Sequence, residues 1–311
     1  MRTRISWALV VVLVAAVASV AAQRGPGPDP LVREGVTVEL APHTYAIPDG
    51  NIPLVPNIGI VVGSRATLVV DTGLGRRNGE TVLREVARVS RNAELYLVTT
   101  HFHVEHTVGY VAFPPSAKYV NSTIQEAEFA EAGARQIETF ASRSPSSAEL
   151  LKDAAGRRAD ITFDREHTID LGGVRVRLSV VGPTHTKGDT LVFVEGDDVL
   201  FAGDVVMNKS FVAANQNSST RAWLAAFDRI AAMKPGTIVP AHGDIGPGSI
   251  LGPLQAAVQG IQARARELKA QGKSADETAS TVQMEVQAQQ PTWARPNGIT
   301  ALARSAYAEA P

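Results

Sequence analysis

Short runs of β-branched and other apolar residues, separated by turn-forming residues, dominate the first third of the chain. Such runs predict strands, here over 36–40, 57–62, 66–70 and 95–99. Between the last two runs, Leu83, Val86 and Val89 recur on one face of a helical repeat that has charged residues on its other face. This period predicts a helix over 80–89 that connects two strands.

A polar-rich segment near 122–155 has helical character and interrupts the strand series, and Ser144-Pro145 predicts a break within it. Strands and helices resume afterwards, with strands over 174–181, 191–194, 199–201 and 237–239 and helices over 221–233, 253–270, 275–287 and 299–309. This order predicts two packed sheets with helices outside. We expect one domain over 36–311, with a helical insertion near 122–155 and C-terminal helices.

The N-terminus has the layout of a cleavable secretory signal peptide over residues 1–22. Arg2 and Arg4 precede an apolar run over 7–18, and small residues follow up to Ala22. A membrane anchor is the alternative, but the apolar run is shorter than the roughly 20 residues that a bilayer needs. We therefore expect a periplasmic or secreted protein without stable membrane insertion after cleavage, which begins with a Pro/Gly-rich leader over 23–35.

The composition and charge of the chain limit what it can bind. Its 311 residues are 44% hydrophobic, and 30 basic and 31 acidic side chains give a formal charge of −1. Loss of residues 1–22, which contain two arginines, leaves 28 basic against 31 acidic residues and a charge of −3. No broad positive field would gather nucleic acid, so we expect a small-molecule substrate. The pattern leaves the oligomeric state open.

Four candidate metal ligands fall within six residues after the strand predicted over 95–99, namely His101, His103, Glu105 and His106. If that strand stays extended to residue 103, the side chains of His101 and His103 point to the same side and can share one ion. Glu105 and His106 would then open the next helix at the same edge.

Three further candidates, His185, Asp204 and His242, each follow a later predicted strand and lie close to a glycine. Glycine permits the sharp turns that direct such side chains toward a shared centre. The chain contains no cysteine, so a metal must be held by histidine and carboxylate. Zinc takes such nitrogen and oxygen ligands, and a catalytic zinc site keeps one position for water.

These residues together resemble the motifs of the metallo-β-lactamase-fold hydrolase superfamily. The resemblance extends over roughly residues 36–243 and rests on His101-x-His103-x-Glu105-His106, Asp71-Thr72-Gly73, His185, Gly203-Asp204 and His242. It implies a four-layer αββα sandwich with the site along one edge of the two sheets. It also implies two Zn²⁺ ions, the first held by His101, His103 and His185, the second by Glu105, His106 and His242, with Asp204 bridging both.

One position departs from the superfamily pattern. The superfamily usually has Asp where this chain has Glu105, and the additional methylene moves the carboxylate by roughly 1.5 Å. The second metal could therefore be weaker, displaced or absent.

The resemblance implies an exported zinc-dependent metallo-hydrolase in which metal-bound hydroxide attacks an amide, ester, thioester or lactone. β-Lactams are one candidate substrate. Glu105 or Asp204 would hold the attacking water and pass its proton to the leaving group. Two alternatives stay open. The first is an iron-dependent oxidoreductase of the dioxygenase type on the same fold, because histidine and carboxylate also bind iron. The second is a non-catalytic metal-binding protein, which the Glu105 in place of the usual Asp suggests.

Several residues outside the ligand set are interpreted as structural or as pocket residues. His43 and His167 are expected at the surface, and Lys187 is expected to face solvent rather than an anionic group. Met207 and Phe211 follow Asp204 and are candidates to line a pocket, whereas Trp223 is expected in the core.

Overall fold

The computed structural model describes residues 28–311, so the predicted signal peptide and the first part of the leader lie outside the described residues. Within them, thirteen strands form two sheets, and each sheet keeps its strands in chain order. The first sheet contains β1 (Val38–Ala41), β2 (Thr44–Ile47), β3 (Ile58–Val62), β4 (Ala66–Val70), β5 (Glu94–Val98), β6 (Lys118–Ser122) and β7 (Ile161–Phe163). The second contains β8 (Glu166–Asp170), β9 (Arg175–Val180), β10 (Thr190–Glu195), β11 (Val199–Gly203), β12 (Thr237–Pro240) and β13 (Gly246–Pro247).

Helices connect the strands and cover the outer faces of both sheets. They are α1 (Gly75–Val89), α2 (Val104–Thr107), α3 (Thr123–Ala141), α4 (Pro145–Leu151), α5 (Thr220–Met233), α6 (Leu251–Ala270), α7 (Ala275–Gln289) and α8 (Asn297–Glu309), with short 3₁₀ helices at Val108–Ala112 and Gly248–Ile250. Over residues 28–311, no helix has both the length and the apolar character needed to cross a membrane.

Alternating side chains of the first sheet face two different cores. All of β4 is buried, and its Val69 packs together with Val82 and Val86 of α1, whereas Leu68 and Val70 face the second sheet. This alternation follows from the period of two along a strand. It places a helix on one side of the first sheet and the second sheet on the other.

The second sheet is also covered on both faces. Val192 of β10 lies between the sheets, whereas Leu191 and Phe193 pack with Trp223 and Phe227 of α5. Helices α6, α7 and α8 contribute to the same outer core. The four layers, in the order helix, sheet, sheet and helix, confirm the predicted α/β sandwich.

The hydrophobic pattern misses five short strands, β2, β6, β7, β8 and β13. In β8 the only buried residue is Ile169, so the run has too few apolar positions to stand out from a loop. The insertion is helical, and Ser144 caps α4 with Pro145 in its first turn, at the position of the predicted break.

The second half of the leader packs against α1, so the packed part of the chain begins before residue 36. Val32 is buried, and its N–H donates to Oδ1 of Asn78 over 2.8 Å. Nδ2 of Asn78 donates to the carbonyl oxygen of Pro30, and the N–H of Gly35 donates to the carboxylate of Glu85. These bonds fix the leader along the helix.

Gln125 in the first turn of α3 is fully buried and ties this helix to both sheets. Its Nε2 donates to the carbonyl oxygen of Gly188 over 3.0 Å and to Oγ1 of Thr190 over 2.9 Å, at the start of β10. Its Oε1 accepts from Oγ1 of Thr99 over 3.0 Å, just after β5. One side-chain amide therefore fixes the loops that carry candidate ligands in each sheet.

We predict that Gln125→Ala lowers the free energy of unfolding by roughly 1–3 kcal/mol, because it leaves buried donors and acceptors without partners. Urea denaturation followed by circular dichroism measures the change. Gln287→Ala, at an exposed position of α7, is the matched control and should change stability by less than about 0.5 kcal/mol. Equal stability of the two variants would contradict the role of Gln125.

Candidate metal centre

The candidate ligands meet at one edge because four parallel strands end there. Strands β4 and β5 are parallel neighbours in the first sheet, and β11 and β12 are parallel neighbours in the second. Asp71 follows β4 directly, Asp204 follows β11, and His242 lies two residues beyond β12. The carboxyl ends of parallel strands share one edge, so the topology brings these side chains together.

The chain turns after β5 instead of staying extended to residue 103. The strand ends at Val98, and the carboxylate of Asp71 accepts the N–H of Thr100 over 2.8 Å and its hydroxyl over 3.0 Å. His103 is extended, at φ −63° and ψ 145°, and precedes the short helix α2, which carries Glu105. The extended-strand prediction is therefore wrong, because Asp71 draws the backbone into a turn, while the prediction that Glu105 opens a helix is confirmed.

The first ligand group consists of His101, His103 and His185. Nε2 of His101 and Nε2 of His185 each lie 3.1 Å from Nδ1 of His103. Each side chain offers one ring nitrogen within 4.8 Å of the others. Three imidazole nitrogens at such separations can surround one cation.

The second group consists of Glu105, His106 and His242, whose ligand atoms also lie within 4.8 Å of one another. Asp204 stands between the groups, with Oδ2 at 3.4 Å from Nε2 of His185 and Oδ1 at 4.0 Å from Nε2 of His242. The side chain of Glu105 thus reaches the two histidines of its group. The structure brings all seven predicted ligands together.

Hydrogen bonds from the far ring nitrogens fix the orientation of three histidines. Nδ1 of His106 lies 2.8 Å from Oδ2 of Asp71, Nδ1 of His185 lies 2.6 Å from the carbonyl oxygen of Ala213, and Nδ1 of His242 lies 2.9 Å from that of Val55. In each ring, this contact leaves Nε2 to face the cluster. Such outer hydrogen bonds are typical of metal-binding histidines.

The histidines differ in pKa because their surroundings differ. Burial, followed by repulsion from neighbouring histidines, holds the pKa of His101 and His103 well below the usual value, so both are neutral at pH 7. Burial also opposes the charge on His106, but the carboxylate of Asp71 outweighs it and raises the pKa to about 9. The neutral imidazoles have lone pairs available for a metal.

Asp204 keeps its charge despite burial. Burial alone would raise its pKa, but His242, His185 and His106 lower the pKa well below its usual range. The cluster therefore combines an ionised carboxylate with imidazole nitrogens, which is a donor set that suits a divalent cation.

Unpartnered buried atoms show that the residues fit a metal. Oε2 of Glu105, Nε2 of His106 and Oδ1 of Asp204 are buried and have no hydrogen-bond partner among the described residues. Leaving three such atoms unsatisfied in a folded protein is costly. A cation coordinated by them would satisfy all three.

A cavity of about 820 Å³ opens onto the cluster, and its walls include Met207, as predicted. Phe211 is instead buried in the core. Trp223 is buried there as predicted, and its Nε1 donates to the carbonyl oxygen of Val205 over 2.9 Å. His43 is exposed, and Lys187 is exposed beside the His185 loop. The sequence pattern did not indicate the basic residues of the cavity, Arg135, Arg143, Lys209 and Arg295.

The family comparison agrees with the geometry. A family model of the metallo-beta-lactamase superfamily matches residues 51–242, which is more than half of the chain and includes all seven candidate ligands. The chain therefore belongs to the metallo-beta-lactamase superfamily, as its motifs predicted. No curated protein matches it.

Solved structures support the same fold at low sequence identity. A metallo-beta-lactamase from Pontibacter korlensis is 20% identical, with a TM-score of 0.57 over 72% of this chain and 98% of that one. The stereoselective inverting sec-alkylsulfatase Pisa1 from Pseudomonas sp. is 14% identical, with a TM-score of 0.68 over 88% of this chain. The match spans 50% of the alkylsulfatase, so the chain corresponds to about half of that protein.

We predict that Asp71→Asn weakens binding of a divalent cation by roughly 10- to 100-fold, because the amide no longer holds His106 as a carboxylate does. Competition titration of the purified protein against a chelator with known affinity measures the change. Asp276→Asn, which alters an exposed carboxylate that pairs with Arg304, is the control. Equal affinities in both variants would show that Asp71 does not support the ligand.

Proposed function

We propose that this superfamily member is an exported zinc-dependent hydrolase that acts on an amide, ester, thioester or lactone bond of a small molecule. The main support for the proposal is the presence of two ligand groups, in each of which the ligand atoms lie within 4.8 Å of one another. The ionised Asp204 lies between the two groups. The β-lactamase and the alkylsulfatase with similar folds are named for hydrolytic reactions, which agrees with this proposal.

Zinc is the metal that we assign to these residues. Both groups offer imidazole nitrogens or a carboxylate oxygen, and the chain has no thiolate. His101, His103 and His185 would hold one ion, and the second group would hold the other. When bound, zinc supplies Lewis acidity and makes water reactive at neutral pH.

Two carboxylates are positioned to transfer a proton or to orient water during hydrolysis. Glu105 is 7% exposed, and one of its two oxygens can hold the cation. The other oxygen can then accept a proton from the attacking water and deliver it to the leaving group. Asp204 has one unpartnered oxygen and lies beside both groups, so it can orient the same water. The burial of the ligands limits the access of bulk water to this chemistry.

We predict that the zinc-loaded protein hydrolyses at least one member of a panel of a β-lactam, a lactone, a thioester and an activated ester. Chelation, or His103→Ala, should reduce the rate on the order of 1,000-fold, because the cation and its ligands stabilise the developing charge. His167→Ala lies outside the cluster and should leave the rate unchanged. Turnover that survives removal of the metal would contradict the proposal.

Glu105→Gln keeps the side-chain length but removes the proton acceptor. We expect turnover to fall by at least about 100-fold, because general base catalysis typically contributes that much. Metal content, measured by mass spectrometry, separates a catalytic role from a ligand role, since a ligand role alone would lower the metal occupancy. Unchanged metal content together with unchanged turnover would exclude both roles.

Elemental analysis and the absorption spectrum of protein purified without added metal decide between zinc and iron. Zinc at one or two equivalents with no visible absorption is the expected result. Stoichiometric iron would favour the oxidoreductase alternative instead.

We also infer export from the N-terminal sequence. Mass spectrometry of protein recovered from the periplasm or medium should find an N-terminus at Gln23, since Ala22 ends the small residues that favour cleavage. Recovery of the full-length chain from the cytoplasm alone would contradict export.

A further inference from the structure

Basic side chains surround the cavity on two sides of the metal-ligand cluster. Arg135 lines it from α3 and Arg143 from the turn after α3, whereas Lys209 and Arg295 line it from the loop after β11 and from the connection between α7 and α8. Among the described residues, the three side chains of Arg135, Arg143 and Lys209 form no salt bridge. Uncompensated cations in a cleft attract anions.

Among the described residues, the carboxylates of the cavity outside the ligand groups, Asp49 and Asp244, form no salt bridge with these cations. The carboxylate of Asp49 accepts the N–H groups of Asn51 over 2.9 Å and of Gly243 over 2.7 Å. The Asp49 carboxylate thus stabilises the backbone of the cavity wall. The cavity therefore keeps an excess of positive charge once cations occupy the ligand groups.

Arg295 lies next to the cluster but is not part of it. Its Nη1 is 3.9 Å from Oδ2 of Asp204, which is too long for a hydrogen bond, and its side chain is 40% exposed. The guanidinium donors thus stay available on the cavity side. An anion bound to Arg295 would lie beside the metal ligands rather than on them.

The backbone around Arg295 is held in place. The N–H of Ala294 donates to the carbonyl oxygen of Lys209 over 3.2 Å, and the carbonyl oxygen of Ala294 accepts the N–H of Phe211 over 3.0 Å. The rings of Trp293 and Phe211 pack at 5.2 Å. These contacts anchor the α7–α8 connection to the loop that follows Asp204.

Two cationic residues of this wall have left-handed backbone conformations, Lys209 at φ 50° and Arg295 at φ 58°. Non-glycine residues rarely adopt such angles, and they concentrate at functional sites. The backbone is therefore strained at the two positions that place these cations at the cavity.

The opposite wall presents a second guanidinium. Cζ of Arg143 lies 3.6 Å from the ring centroid of Phe140, which fixes the side chain by a cation–π contact. Gln136 of α3 lines the cavity and has a buried Oε1 without a hydrogen-bond partner among the described residues. A guanidinium group thus lines each of the two walls.

We propose that Arg295, with Arg143 opposite, binds a carboxylate of the substrate that lies several bonds away from the scissile bond. The inference rests on the proposed hydrolase function and adds the substrate class. Guanidinium groups match carboxylates with two parallel hydrogen bonds, which positions as well as attracts them. Arg295 lies outside residues 51–242, so the matched family region does not account for it.

The activity experiment compares two esters of equal chain length, the 4-nitrophenyl monoester of adipic acid and 4-nitrophenyl hexanoate. The wild-type enzyme should have the higher kcat/KM for the anionic ester. Arg295→Gln should lower that value about 10-fold and change the value for hexanoate less than about twofold. Arg295→Lys should be intermediate, and Arg304→Gln on the exposed side of α8 should match the wild type.

A binding experiment decides the inference even if neither ester is hydrolysed. Isothermal titration of the zinc-loaded protein with phenylacetate and phenylacetamide should give the tighter binding for phenylacetate, and Arg295→Gln should abolish the difference. A thermal melt confirms that each variant is folded. Equal affinity for the two compounds in the wild type, or a phenylacetate preference that persists in Arg295→Gln, as direct binding to zinc would give, overturns the inference.

Discussion

The burial of five imidazoles and two carboxylates at one edge of the sheets is the constraint on which the rest of the structure depends. Without a cation, burial and mutual repulsion keep His101 and His103 neutral, while Asp204 stays charged. Several atoms of these groups have no hydrogen-bond partner within residues 28–311, which costs free energy in a packed interior. A divalent cation satisfies the carboxylates and the lone pairs together, so metal binding and folding stability are thermodynamically linked.

The fold positions these buried ligands at the ends of strands and through hydrogen bonds from residues that surround them. Parallel pairs in both sheets end at one edge, and Gln125 fixes the loops after β5 and before β10 against each other. Asp71 has a left-handed backbone at φ 63°, and its carboxylate both turns the chain at Thr100 and holds His106. One carboxylate thus couples the local backbone path to the orientation of a ligand.

The ligands were predictable from the sequence because each follows a recognisable strand, and spacing within His101 to His106 is a local property of the chain. Strand β8 was not predictable, because only Ile169 of its residues is buried. The hydrogen-bond partners of His185 and His242 are backbone carbonyl oxygens, which any residue type provides, so no side-chain pattern indicates them. The sequence did not indicate Arg295 for a related reason. Its position depends on a backbone hydrogen bond between Ala294 and Lys209, which no side-chain pattern reveals.

Net charge and local charge lead to different conclusions about the ligand. From a formal charge of −1 we expect no broad field that gathers nucleic acid, and the cavity volume of about 820 Å³ suits a small molecule. Within the cavity, however, four basic side chains stand around a cluster whose two carboxylates would be neutralised by the ions that they hold. Field lines concentrate in such a cleft because its walls have a low dielectric constant. A chain with almost no net charge can therefore still attract a small anion to the cavity beside its candidate metal centre.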